Sequence, residues 1–156
     1  MTTSVREDIM EYLETLMKGM QAGQPVLDPY QTTWSMVTRE DIGKLVAGKA
    51  NALGIYDTEE TKTVRSNYVT ECLLRVVFEF HLRIAPADRP SKQLGILLTD
   101  LERKVLEDQT LGGKAIDVVL LSNDKDIDGP YDRQVQGALF VNIRYRHKTT
   151  DPREVI

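Results

Sequence analysis

Residues 110–152 read TLGGKAIDVVLLSNDKDIDGPYDRQVQGALFVNIRYRHKTTDP. Two apolar runs, Ala115–Leu121 and Val135–Tyr145, flank an acidic, turn-rich connection centred on Asp128-Gly129-Pro130. That pattern predicts a long antiparallel hairpin. In its second strand Val135, Gly137, Leu139, Val141, Ile143 and Tyr145 alternate with Gln136, Ala138, Phe140, Asn142, Arg144 and Arg146. Strict alternation sends one set to a core and the other to a wetter face.

Working back from the hairpin, Leu94, Leu97, Leu98, Leu101 and Val105 recur at helical spacing. Pro90 suits the first position of that helix, and Gly112-Gly113 ends it. Before it, Tyr68–Ile84 alternates along its whole length. Cys72, Leu74, Val76, Phe78, Phe80, Leu82 and Ile84 share one face. Glu71, Leu73, Arg75, Val77, Glu79, His81 and Arg83 share the other. That second face fits plain solvated sheet or a subunit interface with a polar rim, and the pattern leaves both open.

At the N-terminus, Ser4 and Glu7 form a capping-box pair, and Val5, Ile9, Leu13, Leu16, Met17 and Met20 make an amphipathic stripe. The helix is expected from about Ser4 to Ala22, stopped by Gly23 and Pro25. Residues 24–68 are less regular. Tyr30–Val37 is β-prone, Leu53–Tyr56 fits a short strand, and 58–66 reads as a polar arm or loop. Residues 148–156 read as a polar tail, expected to be mobile. The expectation is a single domain over 1–156, of α+β class. It has a mainly antiparallel β-sheet with two amphipathic helices packed on one face.

Composition limits the function classes. The chain has 156 residues, 41% hydrophobic and 28% charged, with net charge −4. A domain of this size buries roughly 70% of its unfolded surface, enough for a core without staples. A mildly acidic chain is poorly suited to generic phosphate-backbone binding. One cysteine excludes an internal disulfide framework. No apolar run reaches the length of a membrane span, and the N-terminus lacks the pattern of a secretory signal, so the chain reads as intracellular when made.

Reactive chemistry finds little support in the residues. Asp124, Asp126 and Asp128, followed by Gly129, match the first half of a calcium loop. The twelfth loop position falls on Val135, where a bidentate Glu is required, and the flanks are strands. An acidic hairpin turn accounts for the same residues. Cys72 and His81 fall on opposite strand faces and so cannot pair as nucleophile and base. His147 sits in a basic strand end with Arg144, Arg146 and Lys148. Gly112-Gly113 follows a helix rather than opening one, unlike a phosphate-cradling loop. No cofactor and no catalytic residue is expected.

Asp108–Gly113, then Asp126-Ile127-Asp128-Gly129 and Tyr131-Asp132-Arg133, then Tyr145-Arg146-His147 and Asp151-Pro152 together resemble the tail terminator (tail completion) proteins of long-tailed bacteriophages. The resemblance covers roughly Val69–Pro152 and includes the element order. It implies a non-enzymatic virion protein assembled in the host cytoplasm. Such a protein forms a ring, expected as a hexamer, on the head-proximal end of the tail tube. The ring stops tube growth and offers a surface to the head–tail connector, while DNA passes through without specific binding. Its partners would be itself, the tail tube protein and the connector, with no membrane. Closed rings need heterologous interfaces. The candidate contact residues are Glu71, Arg75, Glu79, Arg83, Asp126, Asp128, Asp132, Arg144 and Arg146. Another ring component, such as a head–tail connector or tail tube protein, is the alternative within that class. A small α+β ligand-binding domain or enzyme is the alternative outside it.

Overall fold

The computed structural model describes residues 3–40, 42, 51–83, 89–126 and 134–156. Helix α1 (Val5–Lys18) starts where Ser4 Oγ accepts the Glu7 N–H at 3.2 Å. Glu7 and Asp8 lie in its first turn, where the helix dipole favours anions. Strands β1 (Met36–Thr38), β2 (Asn51–Val64) and β3 (Val69–Arg83) follow, then α2 (Pro90–Leu106), β4 (Asp117–Asp126), β5 (Gln134–Lys148) and β6 (Asp151–Val155). The sheet order is β1-β2-β3-β5-β4, with β6 pairing β5. Among the described strands, β1–β2 is the one parallel pair.

This is the expected α+β architecture. The core face of the sheet carries Cys72, Leu74, Val76, Phe78 and Phe80 from β3 and Leu139, Val141, Ile143 and Tyr145 from β5. Val5, Ile9, Leu13 and Met17 of α1 and Leu94, Leu97, Leu101 and Val105 of α2 join them in one buried cluster. Each such side chain contributes on the order of 1.5–3 kcal/mol on leaving water. The register aligns the alternation of three strands: Phe78 lies between Ile55 and Leu139, and Cys72 between Lys62 and Tyr145.

Several boundaries differ from those expected. Helix α1 ends at Lys18, not near Ala22, because Gly19 caps it and the Ala22 N–H goes to Thr33 Oγ1 at 2.8 Å. Of the β-prone 30–37 segment only Met36–Val37 lies in a strand, and Tyr30 makes an isolated bridge to Ala22. The short strand at Leu53 and the polar arm at 58–66 are largely one element, β2, because β3 offers a ladder partner from Thr70 to Leu82. The 148–156 segment is not a featureless tail. It turns at Thr149-Thr150 and returns as β6 along the end of β5. Strand β4 runs past Leu121 to Asp126 through a bulge between Leu120 and Ser122. Ladder hydrogen bonds need no apolar side chain, so hydrophobic runs underestimate strand length at an edge.

Gly137 shows how tightly β4 and β5 approach. A Cβ there would lie 2.2 Å from the Asp124 carbonyl oxygen and 2.9 Å from Phe80 Cζ. No helix among the described residues is long and apolar enough to cross a membrane.

Candidate subunit interface on the open sheet face

Both helices lie on one side of the sheet, so β2, β3, β5 and β4 present their alternate residues on the other. The register sorts those residues into cross-strand rows. Glu79, Ala138 and Asp124 form the first row. Tyr56, Val77 and Phe140 form the next, then Arg75, Asn142 and Val119, then Leu73, Arg144 and Asp117, and last Glu71 and Arg146. The face therefore carries carboxylates at Glu79 and Asp124, an apolar stretch next to them and arginine–carboxylate pairs in the last rows, while on the other side of Glu79 it runs on through His81 to Arg83.

Six of the nine expected contact residues, Glu71, Arg75, Glu79, Arg83, Arg144 and Arg146, belong to this face by strand parity. Glu71 accepts from Arg146 at 3.0 Å and from Arg65 at 3.2 Å. Those two guanidiniums, Arg146 first, hold its carboxyl below the usual range. Arg144 donates to Asp117 at 2.5 Å. Arg75 meets Glu59 only at 4.0 Å. Arg83 is exposed at the last position of β3. Solvent screening leaves pairs of this kind little weight in stability, so their arrangement bears on recognition more than on stability. Leu73, Val119 and Leu121 add exposed apolar surface. Asp128 and Asp132 lie outside the described residues, and of Asp126 only the backbone, at the end of β4, is described.

The calcium-like spacing starts in a strand rather than in a turn. Asp124 and Asp126 pair with Ala138 and Gln136 inside the ladder. Asp128 falls outside the described residues. Among the described residues no group of three His, Cys, Asp or Glu side chains is placed to hold a metal ion.

A shallow cleft of about 360 Å³ opens on the same face. Tyr56, Val77, Ala138 and Phe140 line it, and Glu79 and Asp124 add two carboxylates to the lining. The Tyr56 hydroxyl donates to Glu79 at 3.1 Å.

The opposite face holds a polar cluster that the alternation pattern, followed across strands, would have located. Glu60 of β2 is half-buried there, with its side chain 7% exposed. It accepts from the Tyr145 hydroxyl at 2.6 Å and pairs with Lys62 at 2.9 Å. Burial pushes the Glu60 carboxyl up, but the Tyr145 hydroxyl and Lys62 outweigh it and the net shift is downward. Lys62 Nζ also lies 3.6 Å from Cys72 Sγ and 3.2 Å from His147 Nε2. His147 Nδ1 is 2.7 Å from the Lys148 carbonyl, which can only accept. The proton is therefore on Nδ1, leaving Nε2 to accept from Lys62. Arg6 of α1 closes the cluster against Asp57 and Glu60. Burial pushes the Cys72 thiol up, the reverse of an activated thiolate. The cluster is a hydrogen-bonded polar patch at the edge of the core, with Lys62 and Arg6 reaching solvent.

The Asp108–Gly113 stretch is a joint between the helices. Asp108 accepts from the Gly112 N–H at 2.7 Å, the Thr110 hydroxyl at 2.8 Å, the Tyr12 hydroxyl at 2.8 Å and the Thr110 N–H at 3.0 Å. These donors, Gly112 first, hold its carboxyl far below the usual range. Leu111, Gly112 and Gly113 all have positive φ, and Gly112 passes so close to Tyr12 that a Cβ would lie 3.1 Å from its ring.

No family model and no curated protein matches this chain. Among solved structures it is similar to a chain in the cryo-EM structure of an extracellular contractile injection system, the PVC sheath/tube terminator in its extended state. The two share 10% identity with a TM-score of 0.44, over 97% of this chain and 60% of that one. This chain thus spans less than two thirds of its length. At that identity and TM-score the likeness carries no argument about function.

Proposed function

We propose that this chain is a tail terminator that assembles as a ring, most simply a hexamer, on the end of a phage tail tube. There it stops tube growth and presents a surface to a head–tail connector, with DNA passing through the channel unbound. The role involves no catalysis; its chemistry is repeated contact between copies of itself and with the tube. The observation that carries the reading is the stretch from Asp108 to Pro152 and its resemblance to that family. The open sheet face supports it. A ring requires one patch to meet a different patch on the next copy. A face with carboxylates at Glu79 and Asp124 and arginine–carboxylate pairs at Arg144 and Arg146 has unlike patches to offer.

Native mass spectrometry or light scattering, alone and with purified tail tubes, tests this. The expected result is a ring-sized oligomer, free or formed on the tube. Arg75→Glu or Arg83→Glu is expected to weaken assembly while the thermal unfolding curve stays unchanged. A protein that remains monomeric at high concentration and ignores tubes overturns the proposal. If assembly persists with both reversals, those arginines are not part of the contact.

A further inference from the structure

Val26 and Leu27 are 82% and 86% exposed, the most exposed large apolar side chains among the described residues. They sit at the tip of a loop that is fastened at both ends. The Gly23 N–H donates to the Tyr30 carbonyl at 2.8 Å, and the Tyr30 N–H donates to the Gln24 carbonyl at 3.1 Å. Beyond the tip, Arg103 of α2 donates to the Asp28 carbonyl at 2.7 Å and pairs with its carboxylate at 3.2 Å. The same guanidinium lies over the Tyr30 ring, 4.6 Å from its centroid. Two apolar side chains in water on a fastened loop lose little freedom when they enter a partner.

A receiving surface exists on the same chain. The cleft of about 360 Å³ lined by Tyr56, Val77, Ala138 and Phe140 is mostly apolar and open. The charges beside the two features are complementary. Exposed Lys92 stands beside the loop, and the Asp28 carboxylate next to it is taken by Arg103. Glu79 and Asp124 line the cleft and can receive the lysine. The loop packs in the helix layer through Arg103 and Tyr30, whereas the cleft opens on the helix-free face. One copy cannot fill its own cleft.

We infer that the Val26–Leu27 tip of one copy seats in the Tyr56–Val77–Phe140 cleft of the next, making a head-to-tail contact. An apolar knob entering a pocket elsewhere on the same surface generates rings or open filaments rather than closed two-fold dimers. The inference rests on the ring reading for its biological setting, but the contact itself is tested separately.

The experiment uses the full chain and two variants, Leu27→Glu on the knob and Ala138→Phe in the cleft, followed by sedimentation velocity. Thermal unfolding verifies that each variant is folded; Leu27, being exposed, is expected to leave the curve unchanged. Each variant alone is expected to associate about 10- to 100-fold more weakly than the unmodified chain, the value of one buried Leu-sized side chain. Mixed in equal amounts, they are expected to form dimers but nothing larger, because the pair retains one intact knob and one intact cleft. Unchanged assembly by folded Leu27→Glu overturns the inference and leaves the ring reading standing. A mixture that forms no dimer also overturns it. Self-association lost in both variants, in a chain that never binds tubes, upholds the contact and sinks the ring reading.

Discussion

Gly137→Ala should destabilise this protein, and Gly95→Ala should stabilise it. The chemical change is the same; only the surroundings differ. At Gly137 the new methyl group would lie 2.2 Å from the Asp124 carbonyl oxygen, 2.9 Å from Phe80 Cζ and 3.2 Å from Phe80 Cε2. Carbon–oxygen contacts in sheets lie at about 3.3–3.6 Å, so the first approach is short by more than about 1 Å. The Asp124 oxygen belongs to a backbone paired with β5 on either side of the contact, and Phe80 is fully buried. Neither yields cheaply. Overpacking of this kind costs about 1–3 kcal/mol, and a backbone obstacle places it in the upper part of that range. The smaller entropy of an unfolded Ala chain offsets about 0.4–1 kcal/mol. The net loss is about 2 kcal/mol, which lowers Tm by roughly 4–8 °C for a chain of this length. At Gly95, inside α2, a Cβ meets nothing within 4 Å. There the helix propensity of Ala adds about 1 kcal/mol, raising Tm by roughly 2–4 °C. Far-UV circular dichroism and fluorescence of buried Trp34 during urea and heat unfolding read both. Equal shifts of the same sign, or a neutral Gly137→Ala, would refute the close β4–β5 approach from which the numbers come.

Four further outcomes are expected. Asp108 has a folded pKa well below its unfolded one, so it stabilises the protein above about pH 4. That contribution fades as pH falls from there toward the folded value, and Asp108→Asn should flatten the acid limb of a stability–pH curve. Tyr145→Phe removes a donor from the buried Glu60 carboxylate and should cost about 1–3 kcal/mol in urea unfolding, with Lys62 still in place. Phe78→Ala, which opens a hole at the centre of the core, should cost about 3–5 kcal/mol on the same assay. Cys72 should resist a thiol reagent in the folded protein and react fully in denaturant; rapid native reaction would contradict its burial.

The two amphipathic helices, strand β3 and the paired strands β4 and β5 were legible from side-chain periodicity alone, because burial of one face imposes a period of 3.6 or 2 on the residues that make it. The same parity assigned Glu71, Arg75, Glu79, Arg144 and Arg146 to the face away from the helices. Periodicity failed where backbone pairing, not burial, made the structure. Polar β2 beyond Tyr56, polar β4 beyond Leu121 and all of β6 are held by ladder bonds that leave no hydrophobic trace in the chain.

The sequence by itself determined the class of fold and which face of each strand is apolar, since both follow from local order along the chain. Only the tertiary structure decided which residues meet. Strand order and register brought Glu60, Lys62, Cys72, Tyr145 and His147 together from three strands, and lined up Tyr56, Val77 and Phe140 as the floor of a cleft. Hydrogen bonds and an arginine from α2, 75 residues away in the chain, fastened the 23–30 loop so that Val26 and Leu27 point into water. Most of those contacts join residues far apart in the chain, and alternation within one strand does not say which strands will meet.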